Sequence, residues 1–336
     1  MKKAKAIELV RTDDGPPLNP AHIVERDLAA VELKLKRLLD SNESLIAEIC
    51  HYLIDGRGKR LRPTFILLVY RACGGTDAKV EDAIDAAIAL ELIHSATLLH
   101  DDIIDGGKLR RGKPSAFALY GLAPTLVAGD YLFCRAFELC GRFDEHLVRT
   151  AAQACIELTE GEVMEGRFRH NAAAGIRDYR PVIARKTASL FYAGGKVAAD
   201  LAGAPRHTID AMAKLGMEVG LAFQMVDDLL DILGPEEKIG KPVGSDLREG
   251  IPSLPVVLAM DRNPELRRVF QNGSALSSDE FDRALEVLRQ PGLVAEARAM
   301  AGEEIRIARD ILGELRPSPY RESLAVLIDE QIDRQV

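Results

Sequence analysis

The sequence has little of what marks secreted, membrane-spanning or polyanion-binding proteins. Its five cysteines are odd in number and form no C-x-x-C pair, which argues against a disulfide framework or a zinc site and favours a reducing, cytoplasmic compartment. No run approaches roughly 18 consecutive apolar residues, and the segment MKKAKAIELVRTDDG has no apolar core, so neither a transmembrane helix nor a secretory signal is expected. The formal net charge of −8 argues against nucleic-acid binding.

Strand-like alternation, sequence repeats and shifts in composition are absent as well. Apolar residues instead recur with the period of a helix in long stretches, for example VEDAIDAAIALELIHSATLLHDD and TIDAMAKLGMEVGLAFQMVDDLLDIL. The pattern predicts an all-α protein, a single large helical bundle of about ten to twelve helices with essentially no sheet. We expect one domain over residues 25–336, preceded by a partly ordered extension over residues 1–24.

Two aspartate clusters of the form D-D-x-x-D interrupt apolar stretches. Because residues i and i+4 share a helix face, the first and last aspartate of each cluster are predicted to point the same way. Carboxylates this close repel one another when partly buried and need a cation, and a site of oxygen ligands alone suits Mg²⁺. The clusters, and so the predicted metal ligands, are Asp101, Asp102 and Asp105, and Asp227, Asp228 and Asp231.

A simpler interpretation treats each acidic triplet as a solvated helix face or a helix cap. Two matching clusters within apolar sequence favour the metal interpretation, because unpaired aspartate is rarely buried. Helical spacing also places His94 and Gln224 on the faces that carry the aspartates.

Two basic segments accompany the aspartates. The first, GRGKRLR, precedes a predicted helix with Pro63 in its first turn, and the second lies in LRRGKP just after the first cluster. A charged loop is usually only solvated, but backbone N–H groups and cations before a helix also suit a diphosphate. Lys186 and Lys241 are weak signals alone. Two anion sites beside a metal cluster are what joining two diphosphate esters requires.

These motifs closely resemble the trans-type prenyl diphosphate synthases, or polyprenyl synthetases, from about residue 25 to the end of the chain. The matching segments are GKRLRP (58–63), HSATLLHDDIID (94–105), LRRGKPSA (109–116), GDYLFCRAF (129–137), EGEV (160–163), KTASLF (186–191), GLAFQMVDDLLD (220–231), GKPVGSDLREG (240–250) and LPVV (254–257).

The resemblance implies a helical bundle around a deep central cavity, and a homodimer. It also implies head-to-tail condensation of isopentenyl diphosphate onto an allylic diphosphate, with about three Mg²⁺ ions held by the two aspartate clusters. At most a transient membrane contact is expected for product release. The other implied allylic-site residues are Arg110, Lys186 (also counted as catalytic), Thr187, Gln224 and Lys241, and the implied isopentenyl-site residues are Lys59, Arg62, His94 and Arg111.

Product length depends, in this family, on the residues four and five positions before the first aspartate. Here they are Thr97 and Ala96, whereas short-chain members commonly have an aromatic residue there. The resemblance is therefore to long-chain, octaprenyl-like members, with products of about C30–C50 and most closely C40. The deeper boundary of this chain-length pocket is predicted at Phe133, Phe137 and Cys140, and we expect Ala96→Phe to shorten the product.

The family often has lysine where this chain has Ile251, and Ser253 replaces threonine, so slightly weaker diphosphate binding is expected. Other interpretations remain open at this stage. A shorter-chain synthase would keep the same motifs, and a non-catalytic subunit of a heteromeric synthase would lack the aspartates. An HD-type phosphohydrolase would use His94 and His100 with Asp101. A class I terpene cyclase would share the first cluster but usually carries a different second metal motif and has no isopentenyl site.

Overall fold

Helices make up nearly all the regular structure of the computed structural model, which describes residues 19–54, 58, 60–110, 112–234, 242–272 and 277–333. Sixteen α-helices lie within these ranges. They are α1 (Glu25–Leu38), α2 (Ser44–Ile54), α3 (Leu61–Ala72), α4 (Val80–Ile104), α5 (Ala116–Tyr120), α6 (Leu122–Cys140), α7 (Glu145–Phe168), α8 (Ile176–Ile183), α9 (Ser189–Leu201), α10 (Arg206–Leu233), α11 (Ser245–Glu249), α12 (Leu254–Arg262), α13 (Pro264–Asn272), α14 (Ser278–Leu288), α15 (Pro291–Leu312) and α16 (Pro319–Asp333).

The predicted all-α class is confirmed, with more helices than the sequence pattern indicated. The excess includes short helices such as α5 and α11, which have five residues each and are too short to show an apolar period. In the described ranges, strand structure is confined to an antiparallel hairpin of β1 (Leu109–Arg110) and β2 (Lys113–Pro114). Pro63 lies in the first turn of α3, as predicted.

The central helix α4 is buried on every side over most of its length. It packs against α3, α6 and α9, which explains why its sequence is apolar on more than one face. Asp77–Ile104 is long and apolar enough to cross a membrane, contrary to the expectation from run length. However, 83% of its most apolar window is buried inside the protein, as expected for a core helix.

A second long helix, α10, packs against α9 and α15. Two hydrophobic clusters form the core, one around α4 and the other around the C-terminal half of α10. Leu190 belongs to the first cluster and Ile183 to the second, and both line the same cavity. The cavity therefore lies where the two clusters meet, beside the C-terminal ends of α4 and α10.

Helix ends are fixed by local hydrogen bonds. Ser277 and Glu280 form a capping box at the start of α14, in which each residue bonds the backbone N–H of the other (3.1 and 3.3 Å). Ser115 caps α5 by accepting from the N–H of Ala118 at 3.0 Å. Near the chain start, a short 3₁₀ turn (His22–Val24) precedes α1, and Val24 is buried in the core. Residues 1–18 lie outside the described ranges.

Candidate active site

Both aspartate clusters open into one cavity of about 1210 Å³. The wall includes Asp101, Asp102 and Asp105 from the end of α4, and Asp227 and Asp228 from the last turns of α10. Helix C-termini carry a partial negative charge, so acidic residues at these two ends are unfavourable without a compensating cation. The arrangement therefore indicates a cation-dependent site.

The first cluster is held by two arginines and by burial. Arg110 Nε donates to Asp102 Oδ1 at 2.7 Å, and Arg169 forms an ion pair with Asp105. Burial raises the pKa of Asp101 to about 7, and the charges of Glu162 and Asp105 add to the effect. Burial likewise raises the pKa of Asp102, against the opposing effect of Arg110. Binding of a further cation beside these carboxylates would therefore be favourable.

In the second cluster, Asp228 is almost fully buried and accepts three hydrogen bonds. Its Oδ2 accepts from the hydroxyl of Tyr179 at 2.7 Å and from the N–H of Leu254 at 2.9 Å, and its Oδ1 accepts from Gln224 Nε2 at 2.8 Å. The hydroxyl of Thr187 donates in turn to Gln224 Oε1 at 2.7 Å. Burial raises the pKa of Asp228 to about 6, even though these donors lower it.

Asp227 and Asp231 do not share one environment, although helical spacing predicts that they face the same way. Asp227 is exposed on the cavity wall, whereas Asp231 is buried and is not part of the wall. The carboxylate of Asp231 accepts from Ser245 Oγ at 2.6 Å and from the N–H of Asp246 at 3.2 Å. The carboxylate of Asp231 therefore faces α11 and not the cavity, and its role as a metal ligand stays a prediction.

Lys186 and Thr187 lie in a π-helical turn over residues 184–188, between α8 and α9. Such turns are rare and frequently mark functional sites. Lys186 Nζ lies 2.8 Å from Glu162 Oε2 and also pairs with Glu165. Burial acts to lower the pKa of Lys186, but the charges of Glu165, Glu162 and Asp101 raise it above its usual range. Lys186 is therefore a permanent cation on the cavity wall.

The close approach of α7 to this turn depends on Gly161, in the motif EGEV. A Cβ at Gly161 would lie 2.5 Å from the backbone nitrogen of Lys186, so any larger residue would push α7 away. Glycine here lets Glu162 and Glu165 reach the lysine. The motif thus acts through backbone proximity as well as through its acids.

The described residues of the predicted isopentenyl diphosphate site also lie on the cavity wall. These are Arg62 and His94. The guanidinium of Arg62 lies over the rings of Phe191 (4.9 Å) and Phe223 (5.9 Å), and these cation–π contacts fix its direction. The remaining predicted diphosphate-binding residues, Lys59, Arg111 and Lys241, lie outside the described residues.

Arg60 lies in the same basic segment but serves the fold. Its backbone is in the left-handed region (φ +47°), and its guanidinium pairs with Glu32 and with Glu91 at 3.1 Å. A further hydrogen bond reaches the carbonyl oxygen of Ile54 at 3.2 Å. The segment therefore contains a structural cation, Arg60, close in sequence to Arg62 on the cavity wall.

The predicted chain-length pocket is only partly supported. Thr97 lines the cavity, but Ala96 is fully buried away from the wall, because it lies one helical step round α4 and packs into the core. The deeper boundary also differs from the prediction. Phe133 packs beside the ring of His100, Phe137 is exposed, and Cys140 is buried in the core, so none of the three is on the wall.

The apolar wall is instead formed partly by Leu98, Leu158 and Leu190 beside Thr97.

The two residues that depart from the family pattern, Ile251 and Ser253, also lie on the cavity wall. Ile251 faces the cavity where lysine is frequent, and Ser253 is buried beside it. The position of Ile251 is consistent with the expected weaker diphosphate binding.

The residues present fit a divalent cation that is shared with a phosphate ligand. In the described parts of the chain, no three His, Cys, Asp or Glu side chains converge closely enough to hold a metal by themselves. Asp102 Oδ2 is nevertheless buried with no hydrogen-bond partner, and the available ligands are carboxylate oxygens. Mg²⁺ usually binds through one or two carboxylates, waters and substrate phosphates, which matches this arrangement.

The phosphohydrolase alternative fails on the position of His100. Its Nε2–H donates to the carbonyl oxygen of Leu126 at 3.2 Å, and the ring is absent from the cavity wall. A histidine-rich metal site with Asp101 is therefore not formed by the described residues.

Several residues of the site were not singled out by the sequence. Tyr179, Glu165 and Arg169 occur in no recognisable spacing with the aspartates. Glu162 lay within a motif, but its contact with Lys186 depends on the approach of two helices that are distant in sequence. The only sequence signal for these residues was that Glu162 is an acid within a matched motif.

The fold and cavity define a helical synthase whose ligands carry diphosphate groups. Residues 43–288 match the family described as polyprenyl synthetase, and the chain belongs to that family. A short chain isoprenyl diphosphate synthase from Methanothermobacter thermautotrophicus is 36% identical over 88% of this chain and 92% of its own. An octaprenyl diphosphate synthase from Haemophilus influenzae is 32% identical over 93% of this chain and 95% of its own.

The solved structures agree with the sequence relatives. A polyprenyl synthase from Caulobacter crescentus, complexed with calcium and isoprenyl diphosphate, superposes with a TM-score of 0.89 at 32% identity. The match covers 95% of this chain and 98% of that one. The protein is accordingly a prenyltransferase, a polyprenyl diphosphate synthase. Its relatives range from short-chain to long-chain synthases, so family membership leaves the product length open.

Proposed function

We propose that the protein condenses isopentenyl diphosphate head to tail onto an allylic diphosphate in a Mg²⁺-dependent reaction. The observation that carries the proposal is the shared cavity, whose wall contains both carboxylate clusters together with Lys186, Arg62 and His94. Support for a divalent cation comes from the carboxylate oxygens and from the calcium in the Caulobacter relative.

The allylic diphosphate is assigned to the carboxylate side of the cavity. Asp101, Asp102, Asp105, Asp227 and Asp228 would hold Mg²⁺, which when bound supplies positive charge that stabilises a departing diphosphate. Arg110 and Lys186 add fixed positive charge to the same leaving group. The hydrogen bonds that Tyr179 and Gln224 donate keep the carboxylate of Asp228 in one orientation.

Isopentenyl diphosphate is assigned to the side formed by Arg62 and His94, with Lys59 and Arg111 as further cations. Because Arg62 is oriented by Phe191 and Phe223, the bound diphosphate is held in one position. The double bond then attacks the allylic carbon as the carbon–oxygen bond to diphosphate breaks. The proton lost from the new prenyl chain passes to the departed diphosphate, so atoms and charge balance.

We infer a long product, of about C30–C50 and most closely C40. Support comes from Thr97, which is much smaller than an aromatic residue and lines the wall beside Leu98, Leu158 and Leu190. A farnesyl or geranylgeranyl diphosphate synthase is the second candidate, favoured by the 36% identity to a short-chain relative. The two candidates share the chemistry and differ only in the apolar wall.

A homodimer is also proposed. Large apolar side chains on the outer faces of α6 and α7 are between 41% and 56% exposed, and a second copy of the chain would cover them. These are Leu122, Leu126, Val127, Phe137, Ile156 and Val163. Sedimentation of the purified protein tests the proposal, and a monomer at micromolar concentration would contradict it.

The test of function is product analysis with purified protein, Mg²⁺, farnesyl diphosphate and labelled isopentenyl diphosphate. Products of about C30 or longer would support the long-chain synthase. A product that stops at C15 or C20 would retain the reaction and favour the short-chain candidate. No condensation would contradict the proposal, and omission of Mg²⁺ with added chelator is the matched control.

A further inference from the structure

Two consecutive residues at the C-terminal end of α7, Arg169 and His170, contact the elements that carry the two aspartate clusters. We call these elements the aspartate arms: the first arm is the first cluster at the end of α4, and the second arm is the second cluster at the end of α10 together with α11. The guanidinium of Arg169 pairs with Asp105, the last aspartate of the first cluster. The backbone N–H of His170 donates to the carbonyl oxygen of Gly250 at 2.9 Å. Gly250 follows α11, the helix that caps the second cluster.

The link from Gly250 to the second cluster is short and continuous. The N–H of Ile251 donates to the carbonyl oxygen of Asp246 at 2.8 Å, and the N–H of Asp246 donates to Asp231 Oδ2 at 3.2 Å. Three residues beyond Ile251, the N–H of Leu254 donates to Asp228 at 2.9 Å. A displacement of Gly250 is therefore transmitted to the buried carboxylates of this cluster.

The position of His170 against the second arm is fixed by its backbone conformation and by its side-chain contacts. Its backbone is in the left-handed region (φ +55°), and its Nδ1–H donates to the carbonyl oxygen of Phe270 at 3.2 Å. Gly250 leaves room for the imidazole, because a Cβ at this position would overlap the ring. A bulky residue in a left-handed conformation persists only when its surroundings fix it.

The guanidinium of Arg169 interacts electrostatically with acidic side chains of both arms. Burial acts to lower its pKa, but the charges of Asp105, Glu165 and Glu249 raise it. Asp105 and Glu165 belong to α4 and α7, whereas Glu249 ends α11, and all three line the cavity. The guanidinium thus lies among acidic residues from both sides of the cavity.

We propose that Arg169 and His170 form a strap that sets the separation of the two aspartate arms. Both are positioning residues, since they act through Asp105 and Gly250 and are not on the cavity wall themselves. The inference rests on the proposed function, in which the two arms hold one diphosphate with Mg²⁺ between them. A strap of this kind matters because small errors in the separation of ligand groups are costly in rate and binding.

The first test compares Arg169→Gln and Arg169→Lys with the wild type. Arg169→Gln should weaken calorimetric binding of inorganic pyrophosphate with Mg²⁺ by about tenfold. It should also raise the KM for the allylic diphosphate by a similar factor and leave the KM for isopentenyl diphosphate unchanged. Arg169→Lys should restore part of the binding, because it keeps the positive charge. A purely structural arginine would lower the unfolding temperature without changing pyrophosphate binding, and that outcome would overturn the proposal.

The second test uses two glycines with nearly the same backbone. Gly250 (φ +71°) and Gly203 (φ +74°) are strained similarly by alanine, but only at Gly250 would the new methyl meet His170. Gly250→Ala should lose pyrophosphate binding, whereas Gly203→Ala should lose only stability. Adding His170→Ala to Gly250→Ala removes the overlap and should recover part of the loss. Equal pyrophosphate binding by the two glycine variants would contradict the strap.

Failure of the strap and failure of the proposed function give different results. If the wild type binds Mg²⁺ and pyrophosphate but condenses no prenyl chain, the proposed function fails while the binding comparison still tests the strap. If condensation proceeds and Arg169→Gln matches the wild type in both binding and KM, only the strap is wrong.

Discussion

The phenolic hydroxyl of Tyr179 donates a 2.7 Å hydrogen bond to Oδ2 of Asp228, and both residues are buried. Burial raises the pKa of Tyr179 well above its usual range, and the charge of Asp228 adds to the effect, so the hydroxyl remains a donor. A buried hydrogen bond to a charged acceptor typically contributes about 1.5–3 kcal/mol. Tyr179 therefore orients a carboxylate that faces the substrate cavity.

Replacing Tyr179 with phenylalanine should raise the Mg²⁺ concentration needed for half-maximal activity by about tenfold. Gln224 would still bond Oδ1 and the N–H of Leu254 would still bond Oδ2, but Oδ2 would lose one of its two donors, so the carboxylate would be held less firmly. Tyr70→Phe is the matched control, because the buried hydroxyl of Tyr70 donates to the carbonyl oxygen of Thr76 away from the cavity. A similar Mg²⁺ requirement in both variants would show that Tyr179 contributes only stability.

Mg²⁺ should bind weakly to the protein alone and tightly when inorganic pyrophosphate is present. The reason is that no three acidic or histidine side chains of the described residues converge as a ready-made metal site, so phosphate oxygens must complete the ligand set. Calorimetric titration of Mg²⁺ with and without pyrophosphate measures the difference, which should exceed about tenfold. Asp227→Asn should reduce the coupling, and micromolar Mg²⁺ binding without pyrophosphate would contradict the idea.

Thr97→Phe should shorten the product, whereas Ala96→Phe should mainly destabilise the fold. Thr97 lines the cavity, so an aromatic ring there narrows the path of the growing chain. Ala96 is completely buried, and overpacking a core typically costs about 1–3 kcal/mol. Chromatography of the products and urea unfolding of both variants separate the two effects. A shortened product from a stable Ala96→Phe variant would favour the original interpretation instead.

The helices could be predicted because they depend on local pattern, and the apolar period over 80–102 predicted α4 closely. That inference needs only that residues on one helix face point one way. The grouping of Arg62, His94, Lys186 and Gln224 with the aspartates came from the resemblance to a known family, and the structure places these residues on the wall of one cavity.

The errors came from features that depend on tertiary packing. Asp231 is buried against α11, a five-residue helix that is too short to show an apolar period in the sequence. Ala96 and Thr97 are adjacent, and only the packing of α4 against its neighbours decides which of them reaches the cavity. The π-helical turn that carries Lys186 has no sequence pattern of its own, because it reflects how α8 and α9 are joined.

A buried pair of acids, Glu218 on α10 and Glu304 on α15, lies beside Arg180 on α8. Arg180 Nη2 is 3.1 Å from Glu304 Oε2 and 4.0 Å from Glu218 Oε2. Burial raises the pKa of Glu218 to about 7, and its hydrogen bond to Glu304 and the negative charge of that residue add to the effect. Burial would also raise the pKa of Glu304, but Arg180 and Glu218 lower it. The pair should therefore keep a proton to a higher pH than an isolated glutamate, and Glu218 is the acid whose pKa is raised.

Stability should fall as the pH rises from about 5 to 8, and Glu218→Gln should remove part of that fall, because the raised pKa values of Asp101 and Asp228 contribute to it as well. Folded Glu218 keeps its proton up to about pH 7, whereas in the unfolded chain it ionises near its ordinary pKa of 4.5. The folded state therefore binds more protons in this window, and its contribution to stability, complete at low pH, is lost on raising the pH. The loss should be on the order of 2 kcal/mol, since one pKa unit corresponds to about 1.4 kcal/mol.

Urea unfolding at pH 5 and pH 8 measures this loss of stability. Glu303→Gln is the control, because exposed Glu303 has a lowered pKa and is ionised in both the folded and the unfolded chain over this range, so its replacement should leave the fall unchanged. Identical pH profiles for wild type and Glu218→Gln would show that the proton on Glu218 does not stabilise the junction of the three helices.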